Sequence, residues 1–468
     1  MRRRPASAAH LLLLVVLGSP PVAAQSEPRI LSLDLPGALV AGAPTRGETP
    51  SLWLLTREAG DDEPWVHRFD TGSSPRLALR AFAPPDEVRA LAPADFDGDG
   101  RDDLVLLAPG SWSRVEPTAA TLAPVPLHEG EARWVGNPGR GTFVAAGGGP
   151  PALARVGGLA LLTLSDGEPS VVLQAELPIR ASARPWGLRL ESPTVRPVPG
   201  GGWVAWDEPR GPQIPTTWIP PSGSAVSLRL LLPEPERIES ARPLRIDGSP
   251  YLFVATFVHV GPMANQRIRL FPLGRFDGPV RPVLAREMEV HIWHSFEASV
   301  ADLDADGKED LLLAVPEGMG GGDLRLLAFH RTTAGGFAAS PAASKLGLGG
   351  AAWHFGDDLD GDGRPDLLLL SGTRLVLYPG PRPGAALPPT VGTDLSASFP
   401  APAEAGVTEV SVQVGSEVAV ESKDRPGTLR HEVLDVDGDG VAEVLLWRIK
   451  PGDTTRLVIV AFGPSGSG

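Results

Sequence analysis

Cysteine is absent from all 468 residues. That excludes disulfides, thiolate zinc sites, cysteine nucleophiles and a lipid-modified N-terminal cysteine. Positive charge is scarce: 42 Lys and Arg stand against 56 Asp and Glu, for a formal net charge of −14. This balance argues against nucleic acid and anionic membranes as partners and suits cation binding. No apolar run approaches the roughly 20 residues needed to span a bilayer. No G-x-S-x-G elbow, H-E-x-x-H pair or P-loop lysine motif occurs, so the chain is not expected to be an enzyme. What is abundant is Gly (55) and Pro (51), both of which disrupt helix interiors. The 42% of hydrophobic residues is still enough for a packed core.

Residues 1–24 read as an export signal. Arg2, Arg3 and Arg4 precede the short apolar run Leu11–Gly18, and Val22, Ala23 and Ala24 supply small residues for cleavage before Gln25. The expected location is the periplasm or the cell exterior. Residues 25–468 are expected to form one domain.

An internal repeat organises that domain. Four segments align without gaps: DFDGDGRDDLVLL from Asp95, DLDADGKEDLLLA from Asp302, DLDGDGRPDLLLL from Asp358 and DVDGDGVAEVLLW from Asp435. With that Asp as position 1, position 3 is Asp97, Asp304, Asp360 and Asp437. Position 5 is Asp99, Asp306, Asp362 and Asp439, position 6 is always Gly, and position 9 is Asp103, Asp310, Asp366 and Glu443. A hard cation such as Ca²⁺ takes six to eight oxygens at roughly 2.3–2.6 Å. Alternate carboxylates in a tight loop can all face one point, and Gly permits the sharp turn. The backbone carbonyl at position 7 (Arg101, Lys308, Arg364, Val441) would add a ligand, and the acid at position 9 would close the shell. About four structural Ca²⁺ ions per chain are therefore expected. An EF-hand would need a bidentate Glu at position 12. That position holds Leu106, Leu313, Leu369 and Leu446. The apolar runs after position 9 read as strands buried on both faces, so the unit is strand, cation loop, buried strand.

This unit resembles the FG-GAP or VCBS-type repeat of the integrin α-chain N-terminal propeller and of many secreted bacterial proteins. The resemblance implies an all-β fold, a β-propeller of four-stranded blades in which the cation loop joins a blade's first two strands. It favours seven blades, the commoner family number, with eight as the alternative. It also implies a role in adhesion or ligand binding, toward an extracellular or periplasmic protein or glycan. Two rivals are a carbohydrate-active enzyme on the same scaffold and a structural subunit of an envelope assembly.

The four loops account for half of the units countable along the chain. Third strands are expected at DLRLLAFHR, TRLVLYPG and TTRLVIVAFG, with a fourth strand of the Asp302 unit near Gly336–Ala339. The interval from Asp358 to Asp435 holds one unit plus an insertion within 385–427. The long interval after Asp95 has room for three or four units that kept the strands and lost the acids. These are GTFVAAGG with GLALLTL, GGGWVAWDEP with SLRLLLP, and RIDGSPYLFVATF with RIRLFPLG, where Asp247 and Gly248 look like a relic of the loop. Ahead of the first loop, RILSLDL, ALVAGAP and SLWLLTR read as one further metal-free unit.

Of the nine His, His354 and His431 each stand four residues before position 1 of their loops and are expected to line a central channel. Trp203, Trp206 and Trp218 fall in a region without cation loops. The loop DEPRGPQIPTTW after Trp206, on the face opposite the cation loops, makes these three the expected ligand contact.

Overall fold

The computed structural model describes residues 28–35, 37–46, 50–57, 64–71, 88, 90–96, 99–108, 111–115, 125–129, 132–135, 152–165, 168–184, 187–191, 193–232, 236–258, 264–290, 297–303, 306–317, 323–347, 352–371, 374–378, 408–411, 429–448 and 455–462. The expected export signal, most of the expected insertion, GTFVAAGG, Asp97 and Asp304 lie outside them. Among the described residues every regular element is a β-strand and every strand pairing within a sheet is antiparallel.

The strands form small sheets that follow one another along the chain. The first has three strands, Ala38–Thr45, Ser51–Arg57 and Pro64–Asp70. The second comprises Ala90–Ala94, Asp103–Ala108, Ser111–Val115 and Val125–Glu129. The third comprises Ala132–Val135, Ala152–Arg155, Gly158–Ser165 and Glu168–Glu176. A two-stranded hairpin, Arg180–Arg184 with Gly187–Glu191, separates it from the fourth sheet, Thr194–Pro197, Trp203–Trp206, Gln213–Ile219 and Val226–Leu231. The fifth is Arg237–Ile246, Ser249–Val258, Ala264–Pro272 and Leu284–Val290. The sixth is Glu297–Ala301, Asp310–Glu317, Asp323–Phe329 and Ala342–Gly347. The seventh is Ala352–Phe355, Leu367–Ser371, Arg374–Tyr378 and Thr408–Ser411. The eighth is Leu429–Leu434, Glu443–Arg448 and Thr455–Ala461, completed by the N-terminal strand Arg29–Leu35.

That last pairing corrects one expectation. Arg29–Leu35 does not join the unit that follows it. It lies antiparallel to the last strand, with Ile30 opposite Val460 and Leu33 opposite Leu457, and ties the two ends of the chain together. The fourth strand of the sixth sheet is also displaced. Arg331 bridges Phe337 across a tight turn, the guanidinium lies 4.9 Å from the ring centre, and the strand starts later, at Ala342.

Packing follows from the period-2 alternation of strands. In the sixth sheet Leu311, Leu313 and Val315 pack with Phe253 and Leu270 of the fifth. The intervening Leu312 and Ala314 pack with Leu367 and Leu369 of the seventh. Leu368 and Leu370 then meet Val444 and Leu446 of the eighth, whose Leu445 and Trp447 meet Leu52 and Leu54 of the first. Trp53 and Leu55 meet Leu104 and Leu106 of the second, and Val105 meets Leu153 and Leu162 of the third. Ala152 and Leu159 meet Ala205 of the fourth, and Val204 meets Leu252 and Val254 of the fifth. Each sheet thus buries one face against the sheet before it and the other against the sheet after it, and the eighth packs on the first. This is the cyclic packing of a β-propeller. It explains the uninterrupted apolar runs, since a strand covered on both faces admits a polar side chain only where a partner is built in for it. Each such Leu contributes roughly 1.5–3 kcal/mol by leaving water.

Candidate metal centres

The four acidic loops all join the first and second strands of their sheets, the second, sixth, seventh and eighth. Their local folding is the same. Position 2 is apolar and buried in every loop: Phe96, Leu303, Leu359 and Val436. It roots the loop in the packing between sheets. Position 9 is buried as well, with Asp103, Asp310, Asp366 and Glu443 all under a tenth exposed. Its carboxylate accepts the backbone N–H of position 2 in three loops: from Leu303 to Asp310 at 3.2 Å, from Leu359 to Asp366 at 2.8 Å and from Val436 to Glu443 at 2.8 Å.

The glycine at position 6 takes φ between +80° and +90° in all four loops, a region closed to most side chains. Its N–H donates to the position 1 carboxylate, at 3.1 Å for Asp95, 3.0 Å for Asp302, 2.7 Å for Asp358 and 3.1 Å for Asp435. The N–H of position 7 donates to position 5, at 2.8 Å for Asp99, 2.9 Å for Asp306, 3.1 Å for Asp362 and 2.8 Å for Asp439. Backbone donors therefore aim the acids before any ion is considered.

The result is convergence. Asp358, Asp360 and Asp366 offer carboxylate oxygens within 4.8 Å of one another, and so do Asp435, Asp437 and Glu443. In the second and sixth loops, position 3 lies outside the described residues. Crowding shows in the protonation equilibria. Burial, reinforced by Asp437, Asp435 and Asp439, pushes the Glu443 carboxyl up to about 8. Burial and the neighbouring Asp439 also raise Asp435 and Asp437 above the usual carboxylate range. In the sixth loop Asp302 Oδ1 is buried with no hydrogen-bond partner among the described residues. An uncompensated buried carboxylate oxygen is costly, and a divalent cation is the group that this donor set fits.

Basic side chains at position 7 fold onto position 5. Lys308 Nζ lies 2.6 Å from Asp306 and holds that carboxyl below its ordinary range; Arg101 Nε lies 3.9 Å from Asp99, and Arg364 pairs with Asp362. The eighth loop has Val441 there. Asp310 has a further contact that the repeat pattern does not reveal. The buried His330 places Nδ1 3.0 Å from its Oδ2, and the Arg331 N–H donates to its Oδ1 at 2.7 Å.

Position 8 docks three of the four loops on the preceding sheet. The Asp102 N–H donates to Arg46 O at 2.9 Å, the Ala442 N–H to Asp358 O at 2.8 Å, and the Glu309 N–H to Asp247 Oδ1 at 2.9 Å. The seventh loop has Pro365 and no N–H to give. Asp247 and Gly248 thus keep the tight turn of the loop, at φ 47° and 72°, and serve the next sheet instead of an ion. No periodic signal in the sequence marks these cross-sheet contacts.

His354 is half-buried, with Nε2 2.6 Å from Asp357. The three tryptophans are placed differently from expectation. Trp218 is not on a loop but on the strand Gln213–Ile219, and the connection before it is short. Trp206 and Trp218 are each 7% exposed and sit in the core between the fourth and fifth sheets, while Trp203 packs half-buried toward the third. Large rings fill the widening gap between splayed sheets, so these positions are occupied by packing. An open depression of about 580 Å³ lies elsewhere, on the third sheet, with Arg155 and Glu176 among its lining residues.

Two family models match the chain: an FG-GAP-like repeat over residues 302–369 and an FG-GAP repeat over residues 88–111. The first match contains two of the acidic loops, those from Asp302 and Asp358, and the second contains the loop from Asp95. A search of curated protein sequences returns no match. Among solved structures, a Lactobacillus plantarum protein is similar at 13% identity and a TM-score of 0.32, over 64% of this chain and 82% of that one. The Nup133 β-propeller domain of Vanderwaltozyma polyspora is similar at 9% identity and a TM-score of 0.35, over 87% of this chain and 90% of that one. The Photorhabdus luminescens Tc holotoxin pore is similar at 14% identity and a TM-score of 0.34, over 89% of this chain and 17% of that one. Among the described residues no helix is long and apolar enough to cross a membrane.

Proposed function

We propose that this FG-GAP repeat protein is an exported, calcium-stabilised β-propeller of eight blades that serves as a binding scaffold. The cyclic order of the eight sheets supports eight blades over seven. The observation that carries the calcium reading is the convergence of Asp358, Asp360 and Asp366, and of Asp435, Asp437 and Glu443, on backbone donors that fix their direction. Those residues, with Asp362 and Asp439 and the carbonyls of Arg364 and Val441, would hold Ca²⁺ in the seventh and eighth sheets. The equivalent residues from Asp95 and Asp302 onward would hold it in the second and sixth. Bound Ca²⁺ would neutralise the clustered acids and stiffen the junctions between sheets.

The binding role rests on the division of the disc. One face is committed to cation loops, and the opposite face carries connections between second and third strands that no metal constrains. Rigid scaffolds carry recognition on such loops. The partner class is an extracellular or periplasmic protein or glycan, in keeping with the export signal expected from the sequence of residues 1–24.

Calorimetric titration of chelator-treated protein tests the reading. The expected result is about four Ca²⁺ per chain at dissociation constants on the order of 10⁻⁴ M or tighter, with poor substitution by Mg²⁺. A hundredfold excess of ion over its dissociation constant then stabilises by about 2.7 kcal/mol per site. One site or none overturns the reading.

A further inference from the structure

The first sheet lies between two sheets that carry acidic loops, the eighth and the second, and its own first turn lacks the repeated acids. At that turn stands Arg46. Its guanidinium forks onto Asp102, with Nε 3.0 Å from Oδ2 and Nη2 3.3 Å from Oδ1. Its backbone N–H donates to the same carboxylate at 2.9 Å, and the Asp102 N–H returns a bond to Arg46 O at 2.9 Å. Asp102 is position 8 of the second loop and its side chain is 1% exposed.

The Arg46 stem meanwhile packs on the other neighbour. Gly438, position 4 of the eighth loop, has φ 78°, and a Cβ there would lie 3.0 Å from Arg46 Cγ. Asp102 chiefly, with smaller contributions from Asp435 and Asp95, holds the guanidinium above its ordinary range. Those last two are position 1 of the eighth and second loops. One fixed positive charge therefore serves both loops at the seam where the N- and C-terminal strands close the ring.

We propose that Arg46 is a built-in cation that stabilises the junction of the eighth, first and second sheets when their loops hold no metal, and that it lowers the affinity of those two loops for a divalent cation. The second half rests on the calcium reading above; the first does not. A fixed charge and an incoming ion of the same sign oppose each other, so removing Arg46 tightens ion binding while weakening the metal-free protein.

The test compares full-length wild type with Arg46→Met, which keeps the stem and loses the charge, and Arg46→Lys, which keeps the charge and loses the fork. Melting is followed in EDTA and in saturating Ca²⁺, and Ca²⁺ binding is followed by calorimetry. Arg46→Met is expected to melt several degrees lower in EDTA and to recover part of the difference in Ca²⁺, the remainder being the buried Asp102 carboxylate left without its guanidinium. Two of its sites should tighten by about three- to tenfold, with the others unchanged. Arg46→Lys should keep wild-type Ca²⁺ affinities. A variant that folds only in Ca²⁺ is the same result in stronger form. An equal loss of melting temperature in both conditions, with unchanged affinities, would reduce Arg46 to an ordinary ion pair and overturn the proposal, as would unchanged melting in EDTA. Wild-type protein that binds no Ca²⁺ would be a separate failure: it overturns the calcium reading and, with it, the affinity half of this one.

Discussion

The sixth, seventh and eighth sheets and the third, fourth and fifth sheets share one strand pattern but are fastened by different means. In the first group each loop carries four acids in its sequence, and backbone donors aim those at positions 1, 5 and 9, a set that carries its own repulsion. In the second group the fifth sheet holds a buried charge that is already paired. Glu236 in the fifth sheet is 7% exposed and takes a bidentate pair from Arg269 at 2.6 and 2.9 Å, a bond from Arg267 at 2.7 Å and one from Thr256. Burial alone would raise that carboxyl, but the hydrogen bonds from Arg269, Thr256 and Arg267 outweigh it and hold it below its ordinary range. Arg245 reaches back to Pro199 O at 3.2 Å. Val280 lies along the outer strand of the fourth sheet, accepting from Leu231 N at 2.9 Å and donating to Arg229 O at 2.8 Å, so a neighbouring sheet covers that edge. On the calcium reading proposed above, one arc of the ring would depend on an external ion, whereas the fifth sheet carries permanent cations in its own sequence. The lesson is that loss of the acids does not leave a blade unfastened when an arginine or a backbone latch takes over the same junction.

The largest single effect that sharpens this contrast is expected at Arg269. Arg269→Met strips the bidentate partner from a buried carboxylate, a change that typically costs about 3–5 kcal/mol. The loss should be the same in EDTA and in Ca²⁺, read by chemical denaturation. Dependence on Ca²⁺ would join the two arcs into one.

A smaller effect is expected at Asp360. Asp360→Ala should weaken one Ca²⁺ site by tenfold or more and leave the rest intact, while its stability in EDTA stays level or rises because one repelling charge is gone. Calorimetry and melting on the same variant read both.

Much of this contrast was legible in the residues. The four loops fall between first and second strands as their spacing predicts, and the third strands at Asp323–Phe329, Arg374–Tyr378 and Thr455–Ala461 follow where expected. An uninterrupted apolar run declares that a strand is buried on both faces and an alternating one that it is buried on one, but neither says which strand lies beside it. That is why RILSLDL reads equally well as the start of the first unit and, as the structure has it, the edge of the eighth sheet. Trp206 and Trp218 illustrate the same limit: a ring in a Pro-rich stretch looks like a surface anchor until its neighbours are known. Arg46 and Val280 carry no pattern at all and Asp247 shows only the relic of a loop, since each acts on a residue far away in the chain.

The smallest expected effect is on pH. His67 in the first sheet is 2% exposed, with Nε2 2.8 Å from Thr56 Oγ1, and burial lowers its pKa. The unfolded chain takes up this proton near pH 6.5, while the folded chain resists it. Stability should therefore be full above about pH 6.5 and fall as pH drops toward the depressed folded value. His67→Gln should remove that part of the slope in denaturation curves measured from pH 7.5 to 5.

Hydrogen exchange followed by mass spectrometry, with and without Ca²⁺, tests the division of the ring most directly. The account predicts that EDTA accelerates exchange in peptides covering the second strands Asp310–Glu317, Leu367–Ser371 and Glu443–Arg448, and leaves Trp203–Trp206 and Ser249–Val258 nearly as protected as before. Equal loss of protection in both arcs, or none in either, would contradict it.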